Sequence, residues 1–244
     1  MDWSDEGIVL ARRRHGESAA VVSLLTREHG RHAGLVRGGA GKRASSLYQP
    51  GTLLSVRWRA RLAEHLGTLT AEMVEPFASR VLDDALRLAA LTSACALLEA
   101  ALLEREPHAP LFETTLLLFR ALASEPQPLG WGSAYARWEM QALAEFGFGL
   151  DLDACAATGQ RENLAYVSPR TGRAVSGGAG APYADRLFAL PAFLGTPDAA
   201  PDAAAVAAAL RITGHFLERH VFGPHNRPLP AARMRLVDRW RRVG

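Results

Sequence analysis

The chain has 244 residues, 48 % of them apolar and 22 % charged, which is enough to build a sizeable core in one or two domains. Its most apolar long stretch, 187–210, is broken by three prolines and two aspartates and cannot cross a bilayer as one helix. The first six residues, MDWSDE, are acidic where a signal peptide would be basic, and two cysteines, Cys95 and Cys155, fit a reducing compartment. The expected location is cytoplasmic.

In chain order, 7–14 begins apolar and ends in Arg12, Arg13 and Arg14, a turn follows at His15-Gly16-Glu17, and 19–26 is a β-branched strand that closes a hairpin. Residues 31–38 form a weaker strand, and 39–50 reads as a long loop. In 54–61, Leu54, Val56, Trp58 and Ala60 alternate with Ser55, Arg57, Arg59 and Arg61. Period two puts the apolar set on one face and three arginines on the other. Residues 65–76 alternate again, with Leu69, Ala71 and Met73 opposite Thr68, Thr70 and Glu72. Five short strands ending at Pro76 are best closed into a small barrel, which leaves no exposed edge.

Beyond Pro76 the period becomes helical. One helix is predicted over 79–104 and a second over 110–124. A third, over 131–146, carries an aromatic stripe of Trp131, Tyr135, Trp138 and Phe146 suited to a core, and stops at Gly147. Residues 149–182 read as irregular. Further helices are expected over 202–222 and from Pro230. Cys95 lies in an apolar helical run, as a small buried hydrophobe would. This gives a multidomain chain: a β domain over 1–77 and an α-helical domain over 78–244 with an irregular insert at 149–182.

The net charge of +3 is unevenly placed. Residues 1–77 hold 11 Lys and Arg against 8 acids, whereas 78–244 hold 17 of each. From Arg12 to Arg61 there are 11 cations and only two acids, Glu17 and Glu28. The densest part, 26–43, holds Arg27, Arg31, Arg37, Lys42 and Arg43 among five glycines, Gly38 included. A loop of this kind can bring backbone N–H groups and flexible cations to an anion. It is not a phosphate-binding NTPase loop, because GxxxxGK[ST] would need Gly at Val36 and Ser or Thr at Arg43. Without an amphipathic basic helix it does not suit a membrane. No nucleophile or carboxylate cluster accompanies it, so no catalytic residue is assigned and the expected ligand is nucleic acid.

The order of these features resembles the RecO family of bacterial recombination mediators. The resemblance is carried by DEGIVLARRRHGES, LLTREHGRHAGLVRGG and LYQPGTLLSVRWRARLAEHLGTL, and further along by GLDLDACAATGQ and AYVSPRTGRAVS. It implies an N-terminal OB-fold barrel, and a nucleoid-associated protein without enzymatic activity that binds single- and double-stranded DNA and anneals strands. It also implies three partners: RecR, the C-terminal tail of single-strand-binding protein captured by the helical domain, and, indirectly, RecA, loaded onto coated strands. Many relatives carry a zinc site patterned CxxCG and CxxC. Here Cys155 keeps one thiol and 176–179 keep none, so the insert is a degenerate finger and neither metal nor cofactor is expected. Asp151 and Asp153 are too few for a calcium loop.

Barrels of this kind hold strands through cationic grooves and stacking rings. The expected DNA contacts are Arg12, Arg13, Arg14, Arg27, Arg31, Arg37, Gly38, Lys42, Arg43, Arg57, Arg59 and Arg61, with Tyr48 as the stacking ring and Trp58 in the core. Two other readings compete. One is a helical protein-interaction adaptor whose basic barrel is incidental; the other is a nucleic-acid-processing enzyme.

Overall fold

A computed structural model describes residues 1–62, 64–196 and 199–243. Five strands, β1 (Asp2–His15), β2 (Ala19–Thr26), β3 (Gly30–Val36), β4 (Thr52–Arg59) and β5 (Thr68–Pro76), close in the order β1-β2-β3-β5-β4. All neighbours are antiparallel except β3 and β5, which meet in parallel at Leu35↔Thr68. This is an OB-like barrel. Closure depends on β1, whose first half pairs with β4 and second half with β2, with a register shift between Val9 and Ala11 where it changes partner.

β1 starts at Asp2, five residues earlier than its apolar pattern indicates. Asp and Glu are poor strand formers, but here Asp2 lies opposite Arg59 and Ser4 opposite Arg57, so β4 supplies what local propensity lacks. Residues 39–50 are not a plain loop either. Gly41 caps a short helix, α1 (Lys42–Leu47), whose Ala44 and Leu47 pack against the barrel core. On β4 the alternation holds, with Leu54, Val56 and Trp58 buried and Ser55, Arg57 and Arg59 exposed. On β5 it fails at Met73. That residue pairs with buried Leu54 but is 45 % exposed, where the β4–β5 register slips at Leu53/Leu54.

The single helix predicted over 79–104 is two. A turn, α2 (Phe77–Arg80), is separated from α3 (Ala85–Ala101) by Asp84, whose carboxylate accepts the amides of Leu86 (2.9 Å) and Arg87 (3.0 Å) and starts a new helix. α4 (Ala109–Ser124) follows. The barrel, α2, α3 and α4 form one compact unit, 1–124, joined by 230–236. Cys95 of α3 is 1 % exposed beneath the Val9 carbonyl, and burial pushes its thiol up to about 12.

The second unit is 125–229 with 237–244. Its main helix is α5 (Pro128–Glu145), with Pro128 in the first turn and Gly147 beyond its end at φ +86°. Three of the four stripe aromatics are core: Trp131, Tyr135 and Trp138 are buried, with Trp131 edge to face with Trp240 at 5.2 Å, while Phe146 caps the helix end and is half-buried. Residues 149–182 are more regular than their sequence indicates. β6 (Leu164–Val167) and β7 (Ala174–Ser176) pair as a hairpin, extended by β8 (Phe188–Ala189) on the other edge of β6. Cys155 is buried in this segment and its sulfur accepts the Ser176 amide at 3.2 Å. The remaining helices are two short turns, α6 (Gly177–Gly180) and α7 (Ala192–Gly195), then α8 (Ala203–Phe216) and α9 (Ala231–Trp240). α8 is capped by Asp202 and ends in a wide π-type turn over Leu217–Phe222. Among the described residues no helix is long and apolar enough to cross a membrane.

Candidate nucleic-acid interface

The strand register assembles a row of residues that the linear sequence scatters. Arg13 lies opposite Val21, Val21 opposite Leu35, Leu35 opposite Thr68, and Thr68 opposite Arg59. This row crosses all five strands and so winds around the closed barrel, a path of roughly 20 Å along the wall at about 4.8 Å per strand. Val21, Leu35 and Thr68 are half-buried, while Arg13 and Arg59 at its ends are exposed. Arg57 and Thr70 are paired in the adjacent outward position. Arg37, exposed, follows two residues after Leu35. In the closed barrel β5 alone separates the arginine face of β4 from the end of β3 that leads into the basic loop.

The cations around this surface are of two kinds. Arg37, Lys42 and Arg61 are exposed, with no side-chain partner among the described residues. Arg14 donates to the Glu17 carbonyl of its own turn, at 3.2 Å, and Arg13 is 76 % exposed with Glu99 at 3.5 Å. Gly38, at φ +69° with open space around it, lets the loop turn outward. Arg57 and Arg59 converge on one carboxylate, Asp2, at 2.6 and 2.8 Å. The two guanidiniums hold the Asp2 carboxyl well below the usual carboxylate range, and Asp2 in turn raises Arg57. The side chain of Arg43 lies outside the described residues.

Three of the expected contacts, Arg12, Arg27 and Arg31, are engaged within the fold. Arg12 donates to the Gly39 carbonyl (2.8 Å) and the Ser45 hydroxyl (3.0 Å), fastening α1 to β1. Arg27 bridges Glu6 (2.7 Å) and Glu113, with its guanidinium 4.7 Å from the Phe112 ring centre. Arg31 donates to the Leu102 carbonyl (2.9 Å) and pairs with Glu99 and Glu104 at 3.6 and 3.5 Å, clamping β3 to the end of α3. Their partners lie up to 86 residues away in sequence, so no local pattern marks them.

Tyr48 is also misplaced by the sequence reading. It is 4 % exposed and belongs to the barrel core with Val9, Val22 and Trp58, where burial raises its phenol pKa. It also lines a cleft of about 420 Å³ with Arg12, Ser45 and Gln49. So little of its ring is accessible that it offers a poor stacking platform for a base. Trp58 is core as expected, 1 % exposed, its indole N–H shared by the carbonyls of Ala33 (3.1 Å) and Leu66 (3.0 Å). Gly67, at φ +65°, lets the backbone pass so close to that indole that a Cβ would stand 2.4 Å from the ring.

No cluster of three or more His, Cys, Asp or Glu that could hold a metal occurs among the described residues.

Residues 1–77 match the family described as recombination protein O N terminal, and residues 82–228 the one described as recombination protein O C terminal. Two relatives called "DNA repair protein RecO" cover almost all of the chain. That of Rhodospirillum rubrum is 54 % identical over 99 % of this chain and 97 % of its own. That of Rhodospirillum centenum is 55 % identical over 100 % and 96 %. A more distant one, from a Jannaschia species, is 48 % identical over 98 % and 96 %.

Proposed function

The chain belongs to the RecO family of DNA repair proteins, and we propose that it acts there as a non-enzymatic DNA-binding recombination mediator. The observation that carries this reading is the lateral row from Arg13 to Arg59, flanked by Arg37 and Arg57. Exposed guanidiniums separated by half-buried Val21, Leu35 and Thr68 suit a backbone that runs across strands and turns its phosphates to the cations. Cations that meet phosphates rather than base edges discriminate poorly between bases, so binding is weakly sequence-dependent and strongly salt-dependent. Such a surface holds single strands and accepts duplex, and two held strands can anneal on it. The partners are RecR, the tail of single-strand-binding protein and, indirectly, RecA, in the cytoplasm on the nucleoid. We assign 1–77 to DNA and 78–244 to partners.

The test is strand annealing by the full-length protein with labelled complementary oligonucleotides, compared with an Arg37→Ala/Arg57→Ala/Arg59→Ala variant. The variant is expected to fold normally and to anneal several-fold more slowly. Equal annealing rates would remove the proposed surface.

A further inference from the structure

One end of the barrel holds a second feature that the cationic row does not use. A cleft of about 420 Å³ is lined by Met1, Asp2, Trp3, His29, His32 and Arg105, with Trp58 beside them. Its walls are aromatic. Trp3 stacks on His29 at 4.0 Å and 8°, and on Trp58 at 5.5 Å and 18°. His29 is held from behind by Asp5, whose carboxylate lies 2.9 Å from Nδ1. His32 faces inward from β3, 6 % exposed, and stands edge-on to Trp3 and Trp58 at 4.9 and 4.7 Å. Neither of its ring nitrogens has a partner of good hydrogen-bond geometry among the described residues, although the His29 backbone acts on the ring. A buried imidazole left this way is uncommon, because unpaired polar atoms are costly away from water.

The chemistry of this cleft selects its ligand. Flat walls suit a flat ring. A neutral imidazole offers one donor and one acceptor, so a ring carrying hydrogen-bonding groups on its edge satisfies His32, whereas a plain phenyl ring does not. The rim is charged: Arg105 lines it, and so does Asp2, the carboxylate that gathers Arg57 and Arg59 at the end of the cationic row. A backbone following that row therefore arrives at the mouth of the cleft. We infer that the barrel-end cleft takes one unstacked nucleobase of a bound DNA strand, packed against the Trp3–His29 pair with its edge toward His32. This inference rests on the DNA-binding reading above and adds a base-holding site to it.

The experiment compares two 20-nucleotide single strands that carry the same phosphates, one of thymidylate and one of abasic sugar, on the full-length protein. Stacking of a base on aromatic side chains makes the thymidylate strand the tighter ligand by roughly tenfold. His29→Ala and Trp3→Ala are expected to bring thymidylate binding down to the abasic level and leave abasic binding unchanged. If the tenfold preference persists in both variants, the cleft is not the base site, although DNA binding stands. If the wild-type protein binds neither strand, the DNA-binding reading itself fails.

Crosslinking on the wild-type protein avoids any folding defect of the variants. A strand carrying 5-iodouracil should form adducts on peptides containing Trp3, His29 or Trp58, and adducts confined to other peptides would overturn the inference. So would a benzoylphenylalanine peptide that marks Trp3 when the iodouracil strand does not, because the cleft would then belong to a protein partner.

Discussion

Arg31 and Arg37 stand six residues apart in one basic segment, yet the structure gives them opposite roles. Arg31→Ala removes a charge-assisted hydrogen bond to the Leu102 carbonyl and two ion pairs, at a side chain only 17 % exposed. Loss of such a hydrogen bond costs about 1.5–3 kcal/mol, and unpairing a largely buried carboxylate costs about 3–5 kcal/mol. Glu99 is not abandoned, because Ser23 donates to it at 2.5 Å and Arg13 stays at 3.5 Å. The two contributions overlap, and the expected net loss is about 3 kcal/mol. At about 2–4 °C per kcal/mol for a protein of this size, the melting temperature falls by roughly 6–12 °C. Arg37 has no side-chain partner among the described residues, so Arg37→Ala should leave stability within about 0.5 kcal/mol. Thermal unfolding by circular dichroism reads the first effect. DNA affinity at a temperature where both variants are folded reads the second, with Arg37→Ala weakened and Arg31→Ala close to wild type. Arg31→Ala that melts like wild type yet loses DNA binding would refute this partition.

Asp2→Asn releases Arg57 and Arg59 from their shared carboxylate. DNA should bind more tightly, with a salt dependence steeper by about one unit of slope, and weaker binding in a filter or anisotropy assay would show that Asp2 positions the arginines rather than masks them. Burial, then Arg105, lowers the His32 pKa below its ordinary value of about 6.5. The unfolded chain therefore takes up a proton that the native state resists, so stability falls as pH drops below about 6.5; urea titrations at several pH values should show that fall reduced in His32→Gln. Hydrogen bonds from Ser176 and Thr158 pull the Cys155 thiol down to about 6. That stabilisation is complete above the ordinary thiol value near 9 and is lost as pH falls through about 6. Cys155→Ala should lower the melting temperature more at pH 9 than at pH 6, and elemental analysis should find no stoichiometric zinc in the wild type; equal losses at both pH values would show that the thiolate is not what is stabilised.

Patterns of period two and 3.6 were legible where local preference and tertiary environment agree. β4 is the clearest case, since its apolar parity is the barrel core and its polar parity the surface. The same signal fails where distant residues decide. The acidic start of β1 is a strand because Arg57 and Arg59 lie across from it, more than fifty residues on. α1 hides behind three glycines, and Asp84 resembles a mid-helix polar residue until its carboxylate is seen capping α3. At the candidate site, local charge density located the basic region but could not sort its members. Arg12, Arg27 and Arg31 look like Arg37 in sequence, and only the positions of Ser45, Glu113 and Leu102 separate them. Trp3, His29 and His32 converge through barrel closure. The usable signal was parity: His32 shares the inward face of β3 with Gly34 and Val36, an unusual place for an imidazole.

The central claim is that exposed cations on the lateral barrel surface hold DNA phosphates. It is tested most directly by the slope of log affinity against log salt for a single strand, with the full-length wild type and the Arg37→Ala/Arg57→Ala/Arg59→Ala variant. Each lost phosphate contact should reduce the slope by about 0.7, so the variant is expected to be shallower by about two units. An unchanged slope, with both proteins folded, would contradict the account.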